Sequence, residues 1–138
     1  MPSRREHIAP TVQRILDATS SVGLGTERRI DLALAAAEAL SNAVVHGNRL
    51  QPDALVSIRV DVVPATRAVV SVKDSGAGFD VSSLSDPTDP GRILVPGGRG
   101  VFLMRRLVDE VAYNAIGNEV RLTIERRRRR KGRLRVER

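Results

Sequence analysis

Glu38, Asn42 and His46 recur at steps of four. On a helix, each such step advances about 40° around the axis and about 6 Å along it, so the three form one narrow polar strip. Ala35, Ala36, Ala37, Ala39 and Ala43 flank the strip and leave its surface low enough for a ligand to approach. Glu38 can accept a proton there, and the neutral amide oxygen of Asn42 suits Mg²⁺, which takes oxygen ligands and keeps several waters. A second stretch, Asp74-Ser-Gly76-Ala-Gly78-Phe79, follows a β-like run. Its carboxylate suits an exocyclic amine such as that of adenine, and its glycines let the backbone bend close to a flat ring. A third, Gly97-Gly98-Arg99-Gly100-Val101, opens a helix-like run. Unpaired N–H groups and the helix dipole favour phosphate at such an entrance, and Arg99 can add charge-assisted bonds. Proton acceptor, metal ligand, amine acceptor and phosphate cradle together suit ATP with Mg²⁺.

Each stretch alone has a plainer account. The strip reads equally as a solvated helix face, Asp74-Ser-Gly76 as an ordinary turn, and Arg99 as a solvent-exposed side chain at a loop end. His46, in a final helical turn, gains from the dipole and orients the next loop; His7 reads as a surface residue. Two isolated histidines give no zinc site, and without cysteine there is no disulfide framework, thiolate site or thiol nucleophile. The P-loop pattern and the protein-kinase glycine and catalytic loops are missing.

The elements that must carry these residues follow from apolar spacing. Ile8, Val12, Ile15 and Leu16 mark an amphipathic helix within residues 5–20, broken by Gly23-Leu-Gly25. Thr26 suits the N-cap of a long second helix through His46, with Ile30, Leu34, Ala37 and Val44 as its buried stripe and Gly47 as its stop. Val56, Ile58, Val60 and Val62 alternate with polar residues, predicting a half-buried strand over 54–63. A second strand, Ala68 to Lys73, returns antiparallel after a short turn. Residues 80–97 read as a long loop, of the kind that is usually functional. Val101, Met104, Leu107, Val108 and Val111 mark a third helix. Strands over 111–116 and 119–125 then flank Gly117-Asn118 as a two-residue hairpin turn. Helices segregated over such strands make an α+β two-layer sandwich, with the helices on one face of the sheet.

Charge is unevenly distributed. Nine of the 23 basic residues and one of the 16 acidic ones lie in residues 126–138, so the tail carries +8 and the body −1. Residues 1–125 are therefore read as a single domain and residues 126–138 as a basic, disordered extension. Five consecutive arginines can neutralise phosphates, but no aromatic side chains interleave them, and nucleic-acid contact is not favoured. No apolar run approaches the roughly 20 residues that span a bilayer, and the N-terminus lacks a secretory layout, so a cytoplasmic protein is expected.

Glu38…Asn42…His46-Gly47, Asp74-x-Gly76-x-Gly78 and Gly98-x-Gly100, in that order, resemble the N, G1 and G2 boxes of the GHKL ATP-binding superfamily. Within it, residues 38–47 and 98–111 are most similar to the anti-sigma-factor serine kinases. The resemblance covers roughly residues 3–125 and implies the Bergerat ATP-binding fold, with a mixed, mostly antiparallel sheet. It implies that Glu38 is the general base for a protein serine hydroxyl and that Asn42 holds Mg²⁺. Asp74 would bind adenine, with Gly76, Gly78 and Phe79 beside it, and residues 80–97 would form the ATP lid. Gly98, Arg99, Gly100 and Val101 would hold phosphate, His46 would border the nucleotide, and Asn118 would stand where relatives carry a Thr near adenine. The implied partners are a sigma factor and an anti-anti-sigma (STAS-type) protein. Relatives often begin with a strand that contributes to a homodimer; here Pro2-Ser3 stands where that strand would end, which leaves the dimer open.

The expected function is an ATP-dependent serine/threonine kinase that also sequesters a sigma factor. A non-catalytic ATP- or ADP-binding module that holds a protein partner is the alternative, against which the presence of Glu38 argues. A histidine kinase would need an upstream helical hairpin carrying a phosphorylatable His, and a gyrase-like ATPase a further domain.

Overall fold

A computed structural model describes residues 1–81, 98–127 and 133–137 of the chain. Helix α1 spans Ile8–Ala18, α2 spans Thr26–Asn42 and α3 spans Gly98–Leu107. Five strands, β1 (Ser57–Val63), β2 (Arg67–Lys73), β3 (Glu110–Asn114), β4 (Glu119–Glu125) and β5 (Arg133–Glu137), form one sheet in the order β1-β2-β4-β3-β5. The first four strands pair antiparallel and β5 joins β3 in parallel, so the sheet is mixed and mostly antiparallel, as expected.

Alternation fixes which sheet face is covered. Val70, Val72, Val120, Leu122, Ile124, Val111 and Tyr113 share a core with Ile15, Leu32, Leu40, Val44 and Met104 of the helical layer. Arg59, Asp61 and Lys73 occupy the alternate positions and stay exposed. With so few aromatic residues, this core is built from aliphatic side chains and alanines, which lets the helices lie close to the sheet.

Helix α2 buries a different side from the one its spacing suggests. Ile30 and Leu34 are 55% and 51% exposed, while Leu32, Ala35, Ala36, Ala39 and Leu40 are buried. The helix is apolar on more than one side, and the side rich in alanine is the one that can approach the sheet closely. Val44 is buried as expected. Thr26 is the first helical residue rather than the cap; Gly25 caps without a side-chain bond. Residues Ala43–Gly47 continue α2 as a widened π-helical turn, with the Asn48 N–H donating to Ala43 O at 2.8 Å.

Two further departures concern the C-terminal third. The β3–β4 connection is longer than a two-residue turn, because β3 ends at Asn114. Asn114 Oδ1 accepts from the N–H groups of Gly117, Asn118 and Glu119 at 2.9, 3.0 and 3.2 Å, and Gly117 takes φ +81°. The side chain of Asn114 thus reinforces a turn whose own backbone bond runs from the Gly117 N–H to Asn114 O at 3.1 Å. The basic segment is not wholly without structure: Arg133–Glu137 forms β5. Arg133 and Arg135 reach Glu110 at 2.6 and 3.3 Å, and Arg135 reaches Glu137 at 2.7 Å, so opposite charges on the β3 edge give the arginines a partner. At the other end of the chain, Pro2 bridges Leu55, and the Ser3 N–H donates to Ala54 O at 3.1 Å.

A largely buried ion pair ties the layers together. The Arg28 guanidinium on α2 pairs with Asp109 after α3, with side chains only 13% and 10% exposed. The same guanidinium donates to Glu125 O at 3.0 Å, and the Glu125 N–H donates to Asp109 Oδ2 at 2.7 Å.

Candidate functional site

The three stretches singled out by spacing converge. Gly100, at the start of α3, packs on α2 so closely that a β-carbon there would overlap Glu38 Oε1 and lie 2.9 Å from Asn42 Nδ2. Gly47, at the end of the π-helical turn, packs on the Asp74 carboxylate, and a β-carbon there would overlap it. Gly76 lies against Gly47 O in turn. Glycine at 47 and 100 is what permits these elements to meet.

Among the described residues, a cleft of about 420 Å³ opens between the end of α2, the Asp74 turn and the β3–β4 connection; Gly100 and Val101 do not line it. Asn42, His46, Asp74, Gly78, Phe79 and Asn118 all line it, together with alanines and valines. Glu38 is not among the lining residues; it stands beside the cleft against Gly100. Val101 is buried in the hydrophobic core, so only its backbone is available to a ligand. Gly98 and Arg99 begin α3. Gly97 and the greater part of the expected lid, residues 82–97, lie outside the described residues.

Asp74 is held by its neighbours on both sides. Its N–H donates to Asn118 O at 2.9 Å, and its Oδ1 accepts the Gly76 N–H at 2.7 Å. Partial burial raises its pKa above the usual carboxylate value, and the Gly76 bond offsets only part of this. Gly78 takes φ +82°, and a β-carbon there would overlap Ile116 O, so the turn is pressed against the β3–β4 connection. The Phe79 N–H donates to Ile116 O at 3.0 Å, closing that contact.

Three supporting residues escape the spacing argument. Asn48 is buried; its Oδ1 accepts the Ser75 N–H at 2.8 Å and its Nδ2 donates to Leu55 O at 3.0 Å, which fixes the turn after Asp74. Asn114 holds the far turn and donates to Asn118 Oδ1 at 2.6 Å. Tyr113 borders the cleft and meets Phe79 edge-on, with ring centroids 5.2 Å apart. The one available signal was an Asn immediately after the helix-stopping Gly47; nothing local distinguishes the other two.

No described cluster of three or more His, Cys, Asp or Glu residues can hold a metal by itself. A single neutral amide oxygen at Asn42 fits a magnesium ion that arrives already bound to phosphate oxygens, with the protein supplying one ligand. No described helix is long and apolar enough to cross a membrane.

Comparison with known proteins agrees with this geometry. Residues 1–124 match the histidine kinase-like ATPase domain family. The serine-protein kinase RsbW of Bacillus subtilis is 32% identical over 130 residues, spanning 89% of this chain and 81% of that protein. The protein of the same name from Bacillus pumilus is 29% identical over 123 residues, spanning 83% and 75%. That from Listeria monocytogenes serovar 1/2a is 26% identical over 117 residues, spanning 80% and 74%. A five-stranded mixed sheet under three helices, a cleft lined by the first two segments with the third packed on Glu38 and Asn42 beside it, and a family match across nearly the whole body lead to one conclusion: the chain belongs to the histidine kinase-like ATPase domain family, of the GHKL type.

Proposed function

We propose that the chain is an ATP-dependent protein serine/threonine kinase that acts as an anti-sigma factor, phosphorylating an anti-anti-sigma partner of the STAS type and sequestering a sigma factor. The observation that carries this reading is the contact of Gly100 with both Glu38 and Asn42, which sets a proton acceptor and the Asn42 carboxamide beside the entrance of α3. The relatives named serine-protein kinase support the choice of a protein serine as acceptor.

In this reading the base of ATP lies in the cleft, where Asp74 accepts a hydrogen bond from the exocyclic amine and Val72 and Val120 supply an apolar floor. Asn118 and Asn48 hold the Asp74 turn in place from either side. The free N–H groups of Gly98 to Val101 face the phosphates, where the dipole of α3 favours negative charge. Asn42 offers its oxygen to Mg²⁺, whose chemistry when bound is to neutralise charge on the phosphates. Glu38 accepts the serine hydroxyl proton as the serine oxygen bonds to the γ-phosphorus and the bond to the leaving ADP oxygen breaks. Positioning and charge neutralisation supply most of the catalysis in such transfers.

The test is transfer of labelled γ-phosphate to candidate anti-anti-sigma domains, read also by mass spectrometry for phosphoserine. Phosphoserine on one of them, lost in Glu38→Gln, supports the kinase. A tight nucleotide-dependent complex without any transfer would instead establish a binding module.

A further inference from the structure

The chain has three aromatic residues, and two of them, Phe79 and Tyr113, meet at the cleft with ring planes at 85°. Strand register explains the position of Tyr113. It pairs opposite Val120 on β4, and Val120 pairs opposite Val72 on β2, so one row across three strands makes the cleft floor. Two members of that row are valines. The phenol of Tyr113 is therefore a polar group at one end of an apolar surface.

That phenol lacks a use within the described protein. Tyr113 is only 6% exposed, and its hydroxyl has no hydrogen-bond partner among the described residues, although it keeps some contact with solvent. The nearby amides are already engaged: Asn114 Oδ1 serves three backbone N–H groups, and Asn118 Oδ1 accepts from Asn114 Nδ2. Tyrosine hydroxyls buried to this degree ordinarily find a partner, because an unpaired polar group in apolar surroundings is costly. Burial first, and the Glu38 charge second, keep the phenol protonated well above its ordinary range, so at neutral pH it is a donor.

We infer that Tyr113 is a nucleotide-contacting residue: its ring holds Phe79 edge-on beside the base, and its hydroxyl donates a hydrogen bond to an oxygen of the bound nucleotide. This deepens the ATP reading and rests on it. The acceptor is supplied by the ligand because the described protein offers none. The edge-to-face contact gives Phe79 a fixed orientation, which a flexible glycine turn alone would not provide.

Calorimetric titration of the full chain with MgATP, for wild type and Tyr113→Phe, tests the inference. Removing the hydroxyl alone is expected to weaken binding about 3- to 10-fold, as for one lost hydrogen bond, and to raise KM for ATP rather than lower kcat. Tyr113 is the sole tyrosine and there is no tryptophan, so wild-type tyrosine emission is expected to change on titration with the calorimetric midpoint. Unchanged affinity in Tyr113→Phe, with wild type binding normally, overturns the inference alone. A fall in kcat at unchanged affinity also overturns it, and makes the hydroxyl a support for Glu38 instead. Wild-type protein that binds no MgATP overturns the ATP reading and this inference with it.

Discussion

Gly100 of α3 lies directly against the Glu38 carboxylate of α2, with no room for a side chain between them. One methyl group would therefore separate the helix entrance from the proton acceptor. Gly100→Ala is expected to lower phosphoryl transfer at least 10-fold and to cost about 1–3 kcal/mol of stability through overpacking. Phosphotransfer assays and urea denaturation check the two effects separately; wild-type activity in a folded Gly100→Ala protein would show that the contact is dispensable.

Glu38 lies outside the cleft lining, so its removal should spare binding. Glu38→Gln is expected to hold MgATP within about threefold of wild type while transfer falls by about two orders of magnitude or more. Calorimetry and single-turnover transfer, run on the same preparation, make the comparison. Undiminished transfer would remove Glu38 from the role of base.

Asp74 gives a prediction with a definite sign in pH. Burial raises its folded pKa, so the folded state binds more protons than the unfolded chain between the two values. Stability from this group is thus greatest below the unfolded value and falls as pH rises through the folded one, leaving a cost at neutral pH. Asp74→Asn should be neutral or stabilising at pH 7 and should flatten the acidic limb of the stability profile. The same change should weaken ATP binding at least 10-fold. In wild type, ATP affinity should fall as pH is lowered through the raised pKa, where the carboxylate loses its charge. Thermal melts across pH, paired with calorimetry, read both quantities.

Arg28 and Asp109 join α2 to the β3–β4 layer far from the cleft. Arg28→Ala leaves a largely buried carboxylate with only the Glu125 N–H as a described partner and is expected to cost about 3 kcal/mol. Arg28→Lys keeps the charge but loses the fork, and should recover only part of that loss. Urea denaturation at neutral pH measures both variants.

Removal of residues 128–138 takes away β5 and with it the partners of Glu110. The arginines are about half exposed, so the ion-pair part of the loss should be small, about 1 kcal/mol, and should shrink at 1 M salt, while the packing of Leu134 and the pairing with β3 add a part that salt leaves unchanged. MgATP affinity should stay within twofold, because β5 contributes nothing to the cleft lining. Failure of the shortened chain to fold would show that β5 is integral to the sheet.

Period and punctuation alone determined the helices and the first four strands, and singled out the three stretches that carry Glu38, Asp74 and Gly100. Strict alternation in residues 56–62 admits only a half-buried strand, and four-residue steps from Glu38 place side chains on one helix side, whatever packs against them. Gly76 and Gly78 were legible as places of close approach, Gly100 as part of an anion site and Gly47 as a helix stop, but not which side chains they would meet. Tertiary structure decided that Gly100 meets Glu38 and Gly47 meets Asp74, because such contacts join residues far apart in the chain and leave no local trace. It also decided which side of α2 is buried: with apolar residues on more than one side, only the fit of an alanine-rich surface against the sheet separates Leu32 and Ala36 from Ile30 and Leu34. Tyr113 and Asn48 acquire their places in the same way, through strand register and a hydrogen bond across 27 residues, and β5 through charges on β3 that local composition does not weigh.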